Sequence, residues 1–213
     1  VIKTYQEKVV DLENDLLPVV SKMEMDGIRL NVDEWLKVEA KAIARKEQLN
    51  IELKTMIVDF LLTLEVANGF ELARKALIPV NTKKLTKYLE EITNVQDLRG
   101  WLYDHFNTGS PQQMKAILNL MQIKVKDTNE KTLDDFRGYP IIDLLLSIRE
   151  VSKQVSSYGS NVLQHIHPKT GKIHTDYQTV GTRTGRFSSS NPNMQNVPRS
   201  GGYRECFIPD EGY

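Results

Sequence analysis

The sequence predicts a mainly α chain with a small β part, in which long antiparallel helices are followed by a β-ribbon. Apolar residues recur at helical spacing over most of the chain as far as Gln164, which is the first reason for that reading. Capping residues stand where several of these stretches begin, which is the second. From His165 onward the helical period lapses and Pro, Gly, Ser and Asn punctuate short segments instead.

The first helix is expected from about Thr4 to Met25, with Val9, Leu12, Leu16, Val19, Val20 and Met23 on one stripe. Pro18 should bend or restart it, because proline lacks the backbone donor, and Gly27 should end it. Asn31 with Glu34 reads as an N-cap signature for a second helix running to about Val66. Its stripe is Leu49, Leu53, Met56, Ile57, Phe60, Leu61 and Leu64, and Asn68-Gly69 should close it. At 1.5 Å per residue such a helix is roughly 50 Å long.

Pro79 with Asn81-Thr82 should open a short helix carrying Leu85, Tyr88, Leu89 and Ile92. Another, from about Val95 to His105, presents Leu98, Trp101 and Leu102, with Phe106 just beyond. In F-N-T-G-S-P-Q-Q, Ser110 is placed to cap, Pro111 to occupy the first helical position and Gln113 to complete a capping box. After Thr132, whose hydroxyl suits a short turn, a long helix from Pro140 to about Gln164 has an apolar face through Ile141, Leu144, Leu145, Ile148, Val151, Val155, Tyr158 and Val162. Its polar face holds Arg149, Lys153, Ser156 and Ser157. Beyond it a two-stranded ribbon is expected from Ile166 to about Thr179, turning at Pro168-Lys169-Thr170-Gly171. A last strand should follow around Cys206, Phe207 and Ile208.

Composition bounds the function. Lys and Arg total 28 against 28 Asp and Glu, so a generic nucleic-acid binder is not implied by net charge. Distribution matters more, because Arg149 to Arg204 contains eight basic residues (Arg149, Lys153, Lys169, Lys172, Arg183, Arg186, Arg199, Arg204) and two acidic ones (Glu150, Asp176). The lone cysteine, Cys206, rules out an internal disulfide and a multi-cysteine zinc site; it reads as a small buried hydrophobe in a reducing, cytoplasmic setting. No apolar run is long enough to span a bilayer, so no membrane partner is expected. His165, His167 and His174 have no carboxylate or cysteine at ligand spacing, which disfavours a metal site.

One segment is too polar for a core element. From Gln178 to Pro198 the chain reads Q-T-V-G-T-R-T-G-R-F-S-S-S-N-P-N-M-Q-N-V-P. Arg183 and Arg186 supply charged planar forks, and Gly185 allows close backbone approach beside Arg186. Ser188, Ser189, Ser190, Asn191, Asn193, Gln195 and Asn196 add short donors and acceptors suited to phosphates, sugars and minor-groove acceptors. A solvated loop whose Ser and Asn make local turns is the alternative on composition alone.

The same segment resembles that by which family A DNA polymerases, the DNA polymerase I type, enter the palm from the thumb. The family pattern is T-x-T-G-R, an apolar residue, S-S-S, an acidic or amide residue, P-N, an apolar residue, Q-N, an apolar residue, P. Thr182 to Pro198 fill every place. H-P-K-T-G-K-I-H-T upstream and F-I-P-D-E-G-Y downstream extend the likeness, and F-N-T-G-S-P-Q-Q resembles the F-N-x-x-S-x-x-Q before a thumb helix. I-R-E-V-S-K-Q-V-S-S-Y is similar to the thumb helix that follows the primer–template backbone, although Val155 and Asn161 fall where many members carry lysine.

The resemblance implies a helical lead-in over 1–30, thumb helices over 31–164 and the first edge of the polymerase palm over 165–213. Residues 62–103 look like an insertion, either a structural helical pair or a docking segment for a processivity factor. The implied DNA-binding residues are Arg149, Lys153, Thr184, Arg186, Ser188, Ser189, Asn193, Gln195 and Asn196. Arg186 would test the primer-terminal pair in the minor groove, Arg149 and Lys153 would hold the duplex backbone, and Ser188, Ser189, Asn193, Gln195 and Asn196 would hold sugars and phosphates.

Nucleotidyl transfer of this kind needs carboxylates that hold two magnesium ions. The resemblance places the first catalytic aspartate just past F-I-P-D-E-G-Y, so Asp210, in the turn before that strand, is not it. No catalytic or metal-binding residue is expected in this chain, and Mg²⁺ is expected for the complete polymerase. The expectation is a polymerase fragment, inactive alone and cut from something longer, whose partners are primed duplex DNA and the remaining palm and fingers. A subunit of a split polymerase and a non-catalytic duplex-binding scaffold are the alternatives.

Overall fold

A computed structural model describes residues 4–63, 69–78, 83–179, 182, 184–210 and 212. Helices dominate, with two small antiparallel sheets, as expected for a mainly α chain. The chain divides into two compact units, Val1–Ile43 with Lys153–Tyr213 and Ala44–Ser152. Helices α2 (Val32–Thr63) and α8 (Pro140–Tyr158) each contribute to both.

In the second unit the apolar stripe of α2 forms the core. Leu49, Leu53, Ile57 and Leu61 are buried, Met56 and Phe60 partly so, and Leu64 lies outside the described residues. Sequence placed the end of this helix at Asn68-Gly69. Instead Gly69 begins a helix that was not anticipated, α3 (Gly69–Leu77). Its Ala73 and Leu77, one turn apart, are fully buried, and it packs against α6 (Pro111–Leu120). A glycine read as a stop here precedes an amphipathic run, and the run decides the structure.

The expected opening at Pro79 and Asn81-Thr82 lies outside the described residues. The helix itself is α4 (Lys83–Glu91); the side chains of Leu85 and Tyr88 are not described, while Leu89 and Ile92 are buried. Helix α5 (Val95–His105) matches its expected bounds, and Asn94 caps it by accepting from Asp97 N–H at 2.9 Å. Leu98, Trp101, Leu102 and Phe106 all enter the core. At α6 Ser110 accepts from Gln113 N–H at 3.4 Å and Pro111 takes the first turn, but Gln113 Oε1 reaches Asn107 N–H at 2.7 Å. The glutamine thus braces the entering loop. Asn129, rather than Thr132, precedes the short α7 (Glu130–Asp134). Ile141, Leu145 and Ile148 of α8 complete this core.

In the first unit α1 (Tyr5–Asp26) has a full capping box between Thr4 and Glu7. It runs through Pro18 without restarting. Asn14, whose carbonyl loses its helical donor, and Pro18 are both exposed, so water can replace the missing bond. Of the expected stripe only Val20 is buried, while Leu12, Val19 and Met23 are exposed. Gly27, at φ +64°, then turns the chain into β1 (Ile28–Leu30), a strand the sequence did not suggest.

Strand β1 pairs antiparallel with both β2 (Lys172–Ile173) and β5 (Phe207–Ile208). The expected ribbon from Ile166 to Thr179 is accordingly corrected. Ile166 and Ile173 share one bridge, β2 pairs with β1, and β3 (Asp176–Gln178) pairs with β4 (Ser188–Ser190). Partners more than 140 positions away outcompete the local hairpin because β1 places Leu30 in the core with fully buried Ile173 close by. Cys206 ends a 3₁₀ turn just before β5 and is buried.

Trp35 anchors this core. It is fully buried, meets Tyr203 edge to face at 4.9 Å, and donates through Nε1 to Gly159 O at 3.2 Å. Burial pushes the Tyr203 hydroxyl up to about 12. Helix α8 stops at Tyr158 rather than near Gln164, and a 3₁₀ turn over Ser160–His165 follows. A Cβ at Gly159 would lie 2.4 Å from Glu39 Oε1 and 2.5 Å from Val155 O, so only glycine fits. Glu39 caps the new turn by accepting from Ser160 N–H at 2.8 Å and its hydroxyl at 2.5 Å.

Candidate nucleic-acid interface

The polar segment is built by its own side chains. Thr175, buried beside β3, donates to the carbonyls of Ser190 at 2.8 Å or Pro192 at 2.5 Å, fixing the bend at the cis Asn191-Pro192 bond. Strand alternation turns Ser189 inward and leaves Ser188 and Ser190 half-buried. Ser189 Oγ accepts the N–H groups of Met194 at 3.0 Å and Gln195 at 3.2 Å and donates to Asn193 Oδ1 at 3.3 Å. Asn193 Oδ1 also accepts from Gln195 N–H at 3.1 Å. The Asn193 Nδ2 donors have no partner among the described residues.

Upstream, Thr182 closes the T-R-T-G-R turn. Its Oγ1 accepts from Arg186 N–H at 2.9 Å and stands 3.1 Å from Arg186 O, while Gly185 sits at φ +69°. Thr184 Oγ1 lies 3.2 Å from the Thr182 hydroxyl. The turn leaves the Arg186 side chain exposed, with no partner among the described residues. Arg183 lies outside the described residues.

Within this unit a cleft of about 440 Å³ is lined by Lys153, Ser157 and Tyr158 of α8, by Val162, and by Pro192, Asn193 and Asn196 of the polar segment. Beside the apolar Val162 and Pro192 the lining carries one ammonium, two hydroxyls and two amides, with no carboxylate. Such a lining suits a phosphodiester, whose charge meets the lysine while sugar and phosphate oxygens meet neutral donors. Burial raises the Tyr158 hydroxyl above the ordinary tyrosine value, so it stays protonated at neutral pH.

Of the residues singled out by sequence, Lys153, Asn193 and Asn196 therefore share one cleft. Gln195 instead lines a neighbouring hollow with Ile28, Tyr177, Met194, Val197, Arg204 and Phe207. Ser189 is an internal brace, and Ser188, Thr184 and Arg186 lie on the strand and turn before it. Arg149 belongs to the other unit. Its guanidinium donates to Thr128 O and, at 3.2 Å, to Thr128 Oγ1, and burial lowers its pKa. Sequence reasoning placed Ser157, four residues after Lys153, on the same polar face, but it put Tyr158 on the apolar face and passed over Thr175.

Asp210 bridges two strands. Its Oδ2 accepts from Lys172 Nζ, and its Oδ1 faces Arg29 Nε at 3.4 Å as an ion pair rather than a hydrogen bond. The Lys172 bond, aided by both cations, holds its carboxyl below the usual aspartate value. The rings of His167 and His174 stand 5.7 Å apart, and His174 Nδ1 donates to Glu24 O at 2.7 Å, leaving Nε2 to the Thr170 hydroxyl. Among the described residues no three His, Cys, Asp or Glu gather to hold a metal ion.

The profile of DNA polymerase family A matches residues 78–213. DNA polymerase I of Geobacillus stearothermophilus is 33% identical over 200 residues, which cover 84% of this chain and 23% of that protein. DNA polymerase I of Caldicellulosiruptor bescii is 34% identical over 158 residues, covering 68% of this chain and 18% of that protein. The POL domain of Pol1 from M. smegmatis, solved in complex with DNA primer-template and dNTP, shares the fold. Its TM-score is 0.51 at 24% identity, with 94% of this chain and 30% of that one covered. This chain belongs to DNA polymerase family A, and it spans about a fifth of the length of the two curated relatives. No helix among the described residues is long and apolar enough to cross a membrane.

Proposed function

We propose that this chain is the primer–template-binding part of a DNA-directed DNA polymerase of replication or repair, incomplete for catalysis by itself. The observation that carries this reading is the carboxylate-free cleft in which Lys153 from α8 meets Asn193 and Asn196 from the polar segment. Lys153 takes a backbone phosphate, and the amides take sugar and phosphate oxygens beside it. Arg186, held out on its Thr182-braced turn, reaches minor-groove acceptors that all correct base pairs share. In this reading residues 31–164 serve as thumb, 165–213 open the palm, and 62–103 form an inserted segment open to a protein partner such as a processivity factor. Magnesium is held by residues supplied with the remaining palm and fingers.

The test is primer extension with magnesium and deoxynucleotides, using this chain alone and then mixed with a fragment supplying palm and fingers. Extension only on mixing is the expected result. Extension by this chain alone would overturn the incompleteness, and tight binding to primed duplex that no complement converts into extension would favour a non-catalytic scaffold.

A further inference from the structure

A second polar cleft lies in the Ala44–Ser152 unit, on the exposed face of α5. It measures about 410 Å³, within the range of small-ligand clefts, and its lining includes Glu91, Asp97, Gly100, Trp101, Asp104 and His105. Three features of it have no explanation in the packing of the chain. Trp101 is 2% exposed, yet its indole Nε1 has no hydrogen-bond partner among the described residues. Buried indole N–H groups ordinarily find an acceptor, and leaving one unmade is costly.

The second feature is Gly100, in the interior of α5 one residue before Trp101. Glycine is the least favourable helix-interior residue after proline, yet a Cβ there would meet nothing within 4 Å, so no neighbour demands its smallness. Bare helix backbone at that point makes room for something to approach. The third feature is charge, because Glu91, Asp97 and Asp104 put three carboxylates on the lining with no lysine or arginine among them. Asp97 shares its charge with the Asn94 amide at 2.7 Å, and Lys54, whose Nζ donates to Tyr103 O at 2.6 Å, stands close enough to Asp104 to offset part of its charge from outside the lining. Glu91 also ends α4, where the helix carbonyls add negative potential.

An anion would be repelled here, an apolar group would leave the indole unpaired, and the carboxylates do not gather to hold a metal ion among the described residues. We infer that this cleft receives a basic residue of a partner polypeptide. Its side-chain cation lies among Glu91, Asp97 and Asp104, and a backbone carbonyl of the same segment passes over Gly100 to accept the Trp101 N–H. The cleft lies mostly within 62–103, so the inference rests on the reading of that segment as open to a protein partner and not on the DNA-binding reading.

The experiment follows the indole N–H resonances of the ¹⁵N-labelled 213-residue chain, which has two tryptophans, with Trp101→Phe assigning the Trp101 signal. Acetyl-Ala-Arg-Ala-amide is titrated in, then acetyl-Ala-Gln-Ala-amide and magnesium chloride. The arginine peptide is expected to move the Trp101 signal saturably while the other two do not. Glu91→Gln and Asp104→Asn should each weaken binding about two- to fivefold, the size of an exposed ion pair. Gly100→Ala should raise the melting temperature while abolishing the shift. An equal response to the glutamine peptide, a response to magnesium alone, no saturable response to the arginine peptide, or undiminished binding by a folded Gly100→Ala chain would each overturn the inference.

Discussion

Lys153→Gln and Arg149→Gln are expected to behave oppositely, although the two residues sit one turn apart on α8 and sequence assigns both to the duplex backbone. Lys153 is exposed on the cleft wall with no protein partner among the described residues. Removing the one charge that neutralises a phosphate there should lower the slope of log affinity against log salt by about 0.9. A unit charge about 4 Å from a phosphate is worth about 1 kcal/mol in bulk water and about 4 kcal/mol near a protein surface. The exposure of Lys153 puts it toward the lower figure, about a fivefold loss in affinity at moderate salt. Arg149 instead donates twice to Thr128, which is buried. Truncating it leaves the Thr128 carbonyl without its donor and should cost about 1–3 kcal/mol of stability, with the salt slope unchanged. Fluorescence anisotropy on a primed duplex between about 50 and 200 mM salt measures the slopes, and thermal melts measure stability. If Arg149→Gln flattens the salt dependence as much as Lys153→Gln, or if Lys153→Gln leaves it untouched, the assignment of the cleft is wrong.

Two further outcomes follow from the bracing of the first unit. Ser189→Ala should remove the acceptor shared by Met194 and Gln195, leaving the Met194 N–H unpaired while Gln195 keeps Asn193 Oδ1, at a cost of about 1–3 kcal/mol. Faster amide exchange at Met194 than at Gln195 is the signature, and unchanged exchange at both would refute the bracing role. Asp210, whose folded pKa is depressed by Lys172 and Arg29, stabilises the sheet above its unfolded value of 3.8 and loses that contribution as pH falls through the lower folded value. Melting temperature should therefore drop below about pH 4 in the parent and do so less steeply in Asp210→Asn; parallel curves would show that the strand bridge contributes nothing.

What could be read from the sequence was what is local. The caps at Asn31 and Ser110 and the stripe Leu49, Leu53, Ile57, Leu61 depend on neighbours within a few positions, and each is found as expected. The polar segment stood out because no core could hold so many amides and hydroxyls. The β pairings were not legible, because three-residue β1 gains its meaning only from Ile173 and Phe207, far along the chain. Trp35 and Tyr203 were missed as the anchor of the first unit for the same reason, since each sits in a stretch whose own period says little. Arg149 shows a different limit, because helical spacing gives the face of α8 a charge occupies but not whether a buried carbonyl already holds it.

That limit sharpens what a polar segment can be expected to do. Composition counts Ser189, Asn193, Thr175 and Thr182 as equal to Ser157, Asn196 and Arg186, yet their hydrogen bonds divide them. The first four spend oxygen atoms on backbone or on one another, which holds the turn and the bend in place before any ligand arrives. The second three, with Lys153 and the Asn193 amino group, keep their donors outward, without partners among the described residues. Ordering a loop on binding would subtract from affinity, so a segment that braces itself loses less when it closes on a backbone. Substitutions in the bracing set should therefore act on stability and only through it on binding. Those in the outward set should act on binding alone; Asn193, whose oxygen braces while its amino group faces outward, should affect both, and any other variant that crosses this line would show that the two roles are not separate.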